Sequence, residues 1–316
     1  MKRYGLGVVA LASLLMAGNL VAAPTGPKSK GAPAPAEIST VPAELAWPEL
    51  SDDQQSEAVA KLKTVAEKAQ TQIGRPCQLY ETQYFLFYTD LNAREANNWS
   101  GLLDRMYARL CETFGVPKGK NIWQGKALVF VFSKKDDYMH FESDVTKVDA
   151  KNTAGMCHSY SNGNVIIAFY RQPQELEFAH VLVHESVHGF VHRYRSRVFV
   201  PSWANEGLAE VIATDLVPQR GHRDMVRTAA REGLQKHHNS MSGFFTAEHI
   251  DGWQYPVAQS LCEFMITAGK KNYVDFINGI KDGMTWDDAL ENKFQAPVDR
   301  LVAVFGQTLA IKNLTQ

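Results

Sequence analysis

The sequence has no excess of either charge, because its 33 Lys and Arg residues nearly balance its 34 Asp and Glu residues and the formal net charge is −1. It also lacks a basic stripe, zinc-finger spacing and a glycine-rich phosphate loop. A near-neutral chain has no long-range attraction for polyanions. These absences argue against nucleic acid or an anionic membrane as a partner.

The N-terminus contains an apolar run, but that run is too short to span a bilayer, which takes about 20 residues. Lys2 and Arg3 precede the apolar residues 6–17, and small residues follow at Ala22 and Ala23. This order is typical of a secretory signal peptide. We therefore predict a signal peptide over residues 1–23, cleavage near residue 22 or 23, and a secreted or periplasmic protein with no membrane span after cleavage.

Cysteine is scarce, and no two cysteines have the C-x-x-C spacing of a cysteine zinc site. In an exported chain, four cysteines allow up to two disulfides. We expect at least one, with Cys77–Cys111 as the first choice, although buried free thiols are an equal alternative. The four residues are Cys77, Cys111, Cys157 and Cys262.

Three further regions follow the signal peptide. Residues 24–48 are rich in Pro and Ala, which predicts a linker. Residues 49–76 predict a helix, since Ser51 and Gln54 fit a capping box ahead of helically spaced apolar residues. Residues 77–316 then form the main domain.

Within this domain, strand and helix patterns alternate before a helical second half. Residues 83–90 and 126–133 are predicted strands, and residues 97–115 are a predicted amphipathic helix. Asn162-Gly163 predicts a hairpin between two further strands. From about residue 173 onward the pattern is helical. The sequence thus predicts an α+β domain with a mixed sheet, an antiparallel edge and a mostly helical C-terminal half.

The stretch "HESVH" (184–188) lies in the first helix of that second half. Residues four apart share a helix face, so His184 and His188 can bind one zinc ion. Glu185 lies close enough to hydrogen-bond a zinc-bound water. His180 and His192 continue the spacing, but each step of four residues drifts by about 40° around the helix. We interpret those two as structural residues or as partners of the ligands.

A catalytic zinc needs a third protein ligand, and the next helix supplies a candidate. "HESVH" is followed, after seventeen intervening residues, by Glu206 within "WANEGLAE". This pair of segments resembles the gluzincin metallopeptidases of the peptidase MA-like kind. The resemblance implies a thermolysin-like catalytic domain with one zinc ion, held by His184, His188 and Glu206, and with Glu185 as the general base.

The same resemblance suggests further roles. Glu210 matches the acidic residue that hydrogen-bonds a ligand histidine in thermolysin-like enzymes. Tyr255, in "GWQYPVAQSLCEFM", resembles the tyrosine that donates to the oxyanion in aminopeptidase-type members. The alternative candidates for this oxyanion donor are Tyr160, Tyr170 and Tyr194. The Gly-x-Met-Glu-Asn segment of zinc aminopeptidases is absent, which leaves endo- or exopeptidase action open.

The sequence therefore predicts a secreted zinc metallopeptidase that acts on peptide or protein substrates. One alternative is a silent gluzincin-like domain that binds a peptide or a surface partner. Another is a zinc hydrolase that acts on a non-peptide amide. The presence of Glu185 favours an enzyme, since a degenerate site has no chemical need for this residue.

Overall fold

A computed structural model describes residues 41–316, so the predicted signal peptide and residues 24–40 of the predicted linker lie outside the described residues. The sheet has the strand order β1-β2-β3-β5-β4. Its three inner strands are parallel, and both edge strands are antiparallel to their neighbours. The strands are β1 (Gln78–Glu81), β2 (Phe85–Thr89), β3 (Ala127–Phe132), β4 (Gly155–Ser159) and β5 (Val165–Tyr170).

The helices surround this sheet and make up most of the chain after β5. In the part of the chain described, they are α1 (Asp52–Ile73), α2 (Ala93–Phe114), α3 (Lys135–His140), α4 (Glu175–Arg193), α5 (Ser202–Leu216), α6 (His222–Lys236), α7 (Tyr255–Ala268), α8 (Lys270–Lys281), α9 (Trp286–Phe294) and α10 (Val298–Thr308). A π-helical turn covers Phe141–Thr146. The predicted α+β class, with a mixed sheet and a mostly helical C-terminal half, is confirmed.

Local sequence signals explain several of these elements. Ser51 and Gln54 form the predicted capping box at the start of α1. Asn162 and Gly163 turn the chain between the antiparallel strands β4 and β5, and Gly163 has the positive φ of 92° that such turns require. Helix α2 begins four residues earlier than predicted, because Asn92 caps it by accepting from the backbone N–H of Glu95.

Alternate residues of the central strands enter two cores, one on each face of the sheet. Cys111 lies in the larger core with α2, α4 and the C-terminal helices. Cys77 packs against the smaller core beneath α1. The expected disulfide between them is wrong, since they lie on opposite faces of the sheet. All four cysteines are free.

Two glycines allow α4 and α5, the helices that carry the predicted metal ligands, to pack closely against neighbouring elements. A Cβ on Gly189 of α4 would lie 2.7 Å from Val165 Cγ1 of β5, so this glycine lets α4 press against the sheet. A Cβ on Gly207 of α5 would lie 2.5 Å from the carbonyl oxygen of Ala258 in α7. Such contacts are closer than real Cβ atoms make, so the interface between α5 and α7 depends on glycine.

The last part of the predicted linker, residues 41–48, lies against the domain. Trp47 donates from Nε1 to the carbonyl of His192 at the end of α4, with an N···O distance of 3.2 Å. The Arg193 guanidinium lies 4.4 Å from the centre of the Trp47 ring, within cation–π range. None of the helices in the described range 41–316 combines the length and apolar character that a bilayer crossing requires.

Candidate metal centre

Helices α4 and α5 bring three potential ligand atoms together. The Nε2 atoms of His184 and His188, one turn apart on α4, are 3.1 Å from each other. Glu206 of α5 places Oε2 at 3.1 Å from the first of these nitrogens and 3.3 Å from the second. All three side chains are only 10–18% exposed. The predicted set His184, His188 and Glu206 thus forms a nearly equilateral triangle.

This triangle has the dimensions of a metal site. A tetrahedral zinc with bonds of about 2.0–2.1 Å needs its ligand atoms about 3.3–3.4 Å apart. Two imidazole nitrogens cannot both donate across the 3.1 Å that separates them, whereas both can offer a lone pair to one cation. Two nitrogens and one carboxylate oxygen suit zinc-type ions better than calcium or magnesium. The residues present therefore fit a metal ion, and the group can hold one.

Glu210 lies behind the triangle, one turn beyond Glu206 on α5. Its Oε1 is 3.1 Å from His184 Nδ1, the ring nitrogen that faces away from the triangle. Its Oε2 is 2.9 Å from His180 Nε2. Glu210 therefore connects a predicted ligand with His180, in the position predicted for the carboxylate that orients a ligand histidine.

The charges of the cluster depend on these contacts. Burial acts to raise the pKa of Glu206, but its hydrogen bonds with His184 and His188 outweigh burial and lower that pKa to about 2. Burial acts to lower the pKa of His184, yet Glu206 and Glu210 raise it to about 10. In the metal-free protein, a histidine proton thus compensates the carboxylates. A metal ion would displace that proton, since ligands bind metals in deprotonated form.

Glu185 has a different environment from Glu206. It is half-buried beside the triangle, and its Oε2 accepts a hydrogen bond of 3.1 Å from the backbone N–H of Cys157 on β4. Burial raises the pKa of the Glu185 carboxyl, and the neighbouring His184 and His188 oppose that shift. A raised pKa and a fixed position suit a group that takes up and returns a proton.

The triangle lines an open cavity of about 850 Å³, which Glu185 and Tyr255 also line. The Tyr255 ring is centred 6.4 Å from the His184 ring. Burial, with Glu206 and Glu185, raises the pKa of Tyr255 to about 12, so its hydroxyl keeps its proton at neutral pH. Among the four described tyrosines that compete as oxyanion donor, Tyr255 alone lines this cavity.

The other three tyrosines have different surroundings. The Tyr194 hydroxyl is in the core, where it donates to Asn278 Oδ1 over 2.7 Å. Tyr170 packs against Tyr138. Tyr160 accepts through its backbone carbonyl from His192 Nε2, at 3.2 Å. His192 therefore has a backbone partner, and it also lines the cavity.

Strand β4, an edge strand of the sheet, borders the cavity. Gly155, Cys157 and Ser159 alternate along that strand and all line the cavity. The cavity is also lined by residues that the sequence did not single out. The four consecutive residues Val198, Phe199, Val200 and Pro201 form one stretch, and Ala247, Glu248 and His249 form another. Only the apolar composition of "VFVP" could have drawn attention to the first stretch.

A scan against protein-family models finds no match to this chain, and a search of curated proteins finds none either.

Proposed function

We propose that this protein is a zinc-dependent metallopeptidase whose residues 77–316 form a thermolysin-like, gluzincin catalytic domain. The observation that carries this proposal is the triangle of His184, His188 and Glu206, with sides of 3.1–3.3 Å, in the wall of an open cavity. The five-stranded mixed sheet and the helical C-terminal half are compatible with such a domain.

Zinc bound by these three residues would lower the pKa of a water ligand to about 7 and polarise a carbonyl group. Glu185 accepts a proton at its carboxylate from the attacking water. It then passes this proton to the nitrogen of the leaving amine, so that the group ends the reaction as it began. The hydrogen bond from Cys157 N–H holds one Glu185 oxygen in place and leaves the other free for this transfer.

Two other residues support the reaction. The Tyr255 hydroxyl, which stays protonated at neutral pH, donates a hydrogen bond to the oxygen of the scissile carbonyl as negative charge develops there. Glu210 orients the His184 ring through Nδ1 and increases the basicity of the opposite nitrogen.

Glu185→Gln is the decisive variant, because it keeps the size of the side chain, removes its basicity and touches no proposed ligand. Hydrolysis of an unfolded protein should fall by about 10²–10⁴-fold, while zinc content and melting temperature stay at wild-type values. Tyr255→Phe should cost about 10²–10³-fold. Glu232→Gln, on the exposed side of α6, is the matched control and should change nothing.

The outcomes separate this proposal from its alternatives. Undiminished cleavage by Glu185→Gln would overturn the mechanism. A wild-type protein that holds zinc and binds peptides without cleaving them would be a binding domain. One that cleaves only non-peptide amides would be a hydrolase of a different substrate class.

We infer from the N-terminal sequence that the protein is exported. The charged start, the short apolar run and the small residues Ala22 and Ala23 support this. Export should leave a mature N-terminus near residue 23 or 24, which mass spectrometry of the protein from the producing cell can detect. Recovery of the intact N-terminus in the cytoplasm would contradict export.

A further inference from the structure

The loop between α4 and α5 forms an apolar wall along one side of the cavity. We call residues Val198, Phe199, Val200 and Pro201 the apolar wall; all four line the cavity, and none carries a charge. The Phe199 side chain is 77% exposed, more than any other large hydrophobic residue in the described part of the chain. A large apolar side chain thus faces the solvent beside the metal centre.

The backbone of the apolar wall is anchored at Val198, where the wall begins. Lys281, at the end of α8, is fully buried. Its Nζ donates to the carbonyl of Val198 at 2.7 Å and to the carbonyl of Val191 in α4 at 3.1 Å. The Ser196 hydroxyl donates to the Lys281 carbonyl and accepts from Val198 N–H at 3.2 Å. These bonds connect Val198, the first residue of the wall, to the helix that carries His184 and His188.

An exposed apolar side chain on an anchored backbone is suited to binding. Burial of apolar surface is favourable, and a backbone that is already anchored loses little further freedom when a ligand covers the side chain. Within the described residues, the nearest ring to Phe199 is His192, with centroids 6.0 Å apart, and it leaves most of the phenyl ring uncovered. The uncovered surface is continuous with the cavity of the metal centre.

We propose that the apolar wall binds a large apolar side chain of the peptide substrate, with Phe199 as the main contact. This inference rests on the proposed peptidase function, because it places the side chain in the same cavity as the scissile bond. A second copy of the chain is a poor occupant of this surface. Four loop residues provide far less area than the roughly 800 Å² per partner that a stable dimer buries.

The test measures peptide binding without turnover. Zinc-loaded Glu185→Gln protein is titrated with fluorescein-labelled Gly/Ser peptides that carry one Phe, moved along the peptide, and binding is followed by fluorescence anisotropy. At one position of the Phe, affinity should exceed that of the all-Gly/Ser peptide by about tenfold, the lower end of what an apolar pocket provides. Adding Phe199→Ser should remove most of this gain.

Met225→Ser is the matched control, because Met225 is 61% exposed on α6 and does not line the cavity. It should keep the full preference for Phe. The inference is overturned if Phe adds no affinity at any position, if Phe199→Ser keeps the preference, or if Phe199→Ser converts a dimer into a monomer in sedimentation.

The two proposals can fail separately. If wild-type protein cleaves no peptide but the binding preference depends on Phe199, the peptidase function fails and the apolar wall remains a binding site. If wild-type protein cleaves peptides with no preference that depends on Phe199, the subsite fails and the peptidase function stands.

Discussion

Replacing Glu210 with alanine should weaken zinc binding while leaving all three proposed ligands in place. Glu210 Oε1 lies 3.1 Å from His184 Nδ1, within ion-pair range, and no described group forms a hydrogen bond of good geometry with that nitrogen. Without Glu210 the ring would lose this contact, which we propose sets its tautomer and orientation. Loss of such an outer carboxylate typically costs about 10- to 100-fold in metal affinity, or about 1.4–2.7 kcal/mol.

Competition with a fluorescent zinc chelator at neutral pH measures this loss directly. Glu210→Gln retains an oxygen that can accept from Nδ1, so it should lose less affinity than Glu210→Ala. Asp215→Asn is the matched control, because Asp215 lies on the same helix and pairs with Arg223. Wild-type affinity in Glu210→Ala would show that Glu210 does not support the metal centre.

Three further predictions concern the fold. Gly207→Ala should destabilise the protein by about 1–3 kcal/mol in urea unfolding, because its Cβ would meet the Ala258 carbonyl at 2.5 Å; equal stability would mean that α5 and α7 can separate without cost. Lys281→Met should lower the free energy of unfolding by about 2–4 kcal/mol, because it leaves buried carbonyls without a donor. Lys271→Met is the control and should lower it little, because the Lys271 side chain, on the same helix, is 85% exposed. Denatured, unreduced protein should show all four cysteines as reactive thiols, and a count of two would reveal a disulfide.

The elements that sequence predicted well are those with strong local signals. The helix α4 lacks interior proline, and the Asn162-Gly163 turn permits little besides a hairpin. Strand β1 was not predicted, because "QLYE" is short and half polar and becomes a strand only by pairing with β2. The contacts of residues 41–48 were also not predictable. Trp47 meets His192 across 145 positions of sequence, and composition carries no information on such a contact.

The residues of the candidate site also differ in how far the sequence alone predicts their positions. The spacing of His184 and His188 follows from helix geometry, so the sequence alone places them on one face. Whether Glu206 meets them depends on the angle between α4 and α5, which the sequence indicates only through resemblance. The buried Lys281 that fixes the apolar wall lies 83 positions from Val198 and belongs to no motif. Its role depends on tertiary packing alone.

The charge balance of the cluster distinguishes it from a set of structural histidines. Glu185, Glu206 and Glu210 lie close together and mostly buried, and among the described residues none forms an ion pair with Lys or Arg. Buried carboxylates need a nearby cation, since burial without one costs several kcal/mol per charge. Protons on the histidines can supply positive charge. The two facing nitrogens cannot both carry a proton, because the Nε2 atoms of His184 and His188 are 3.1 Å apart and two protonated nitrogens would repel. A divalent ion held by His184, His188 and Glu206 would remove this conflict, because it would accept both nitrogen lone pairs and balance the carboxylates.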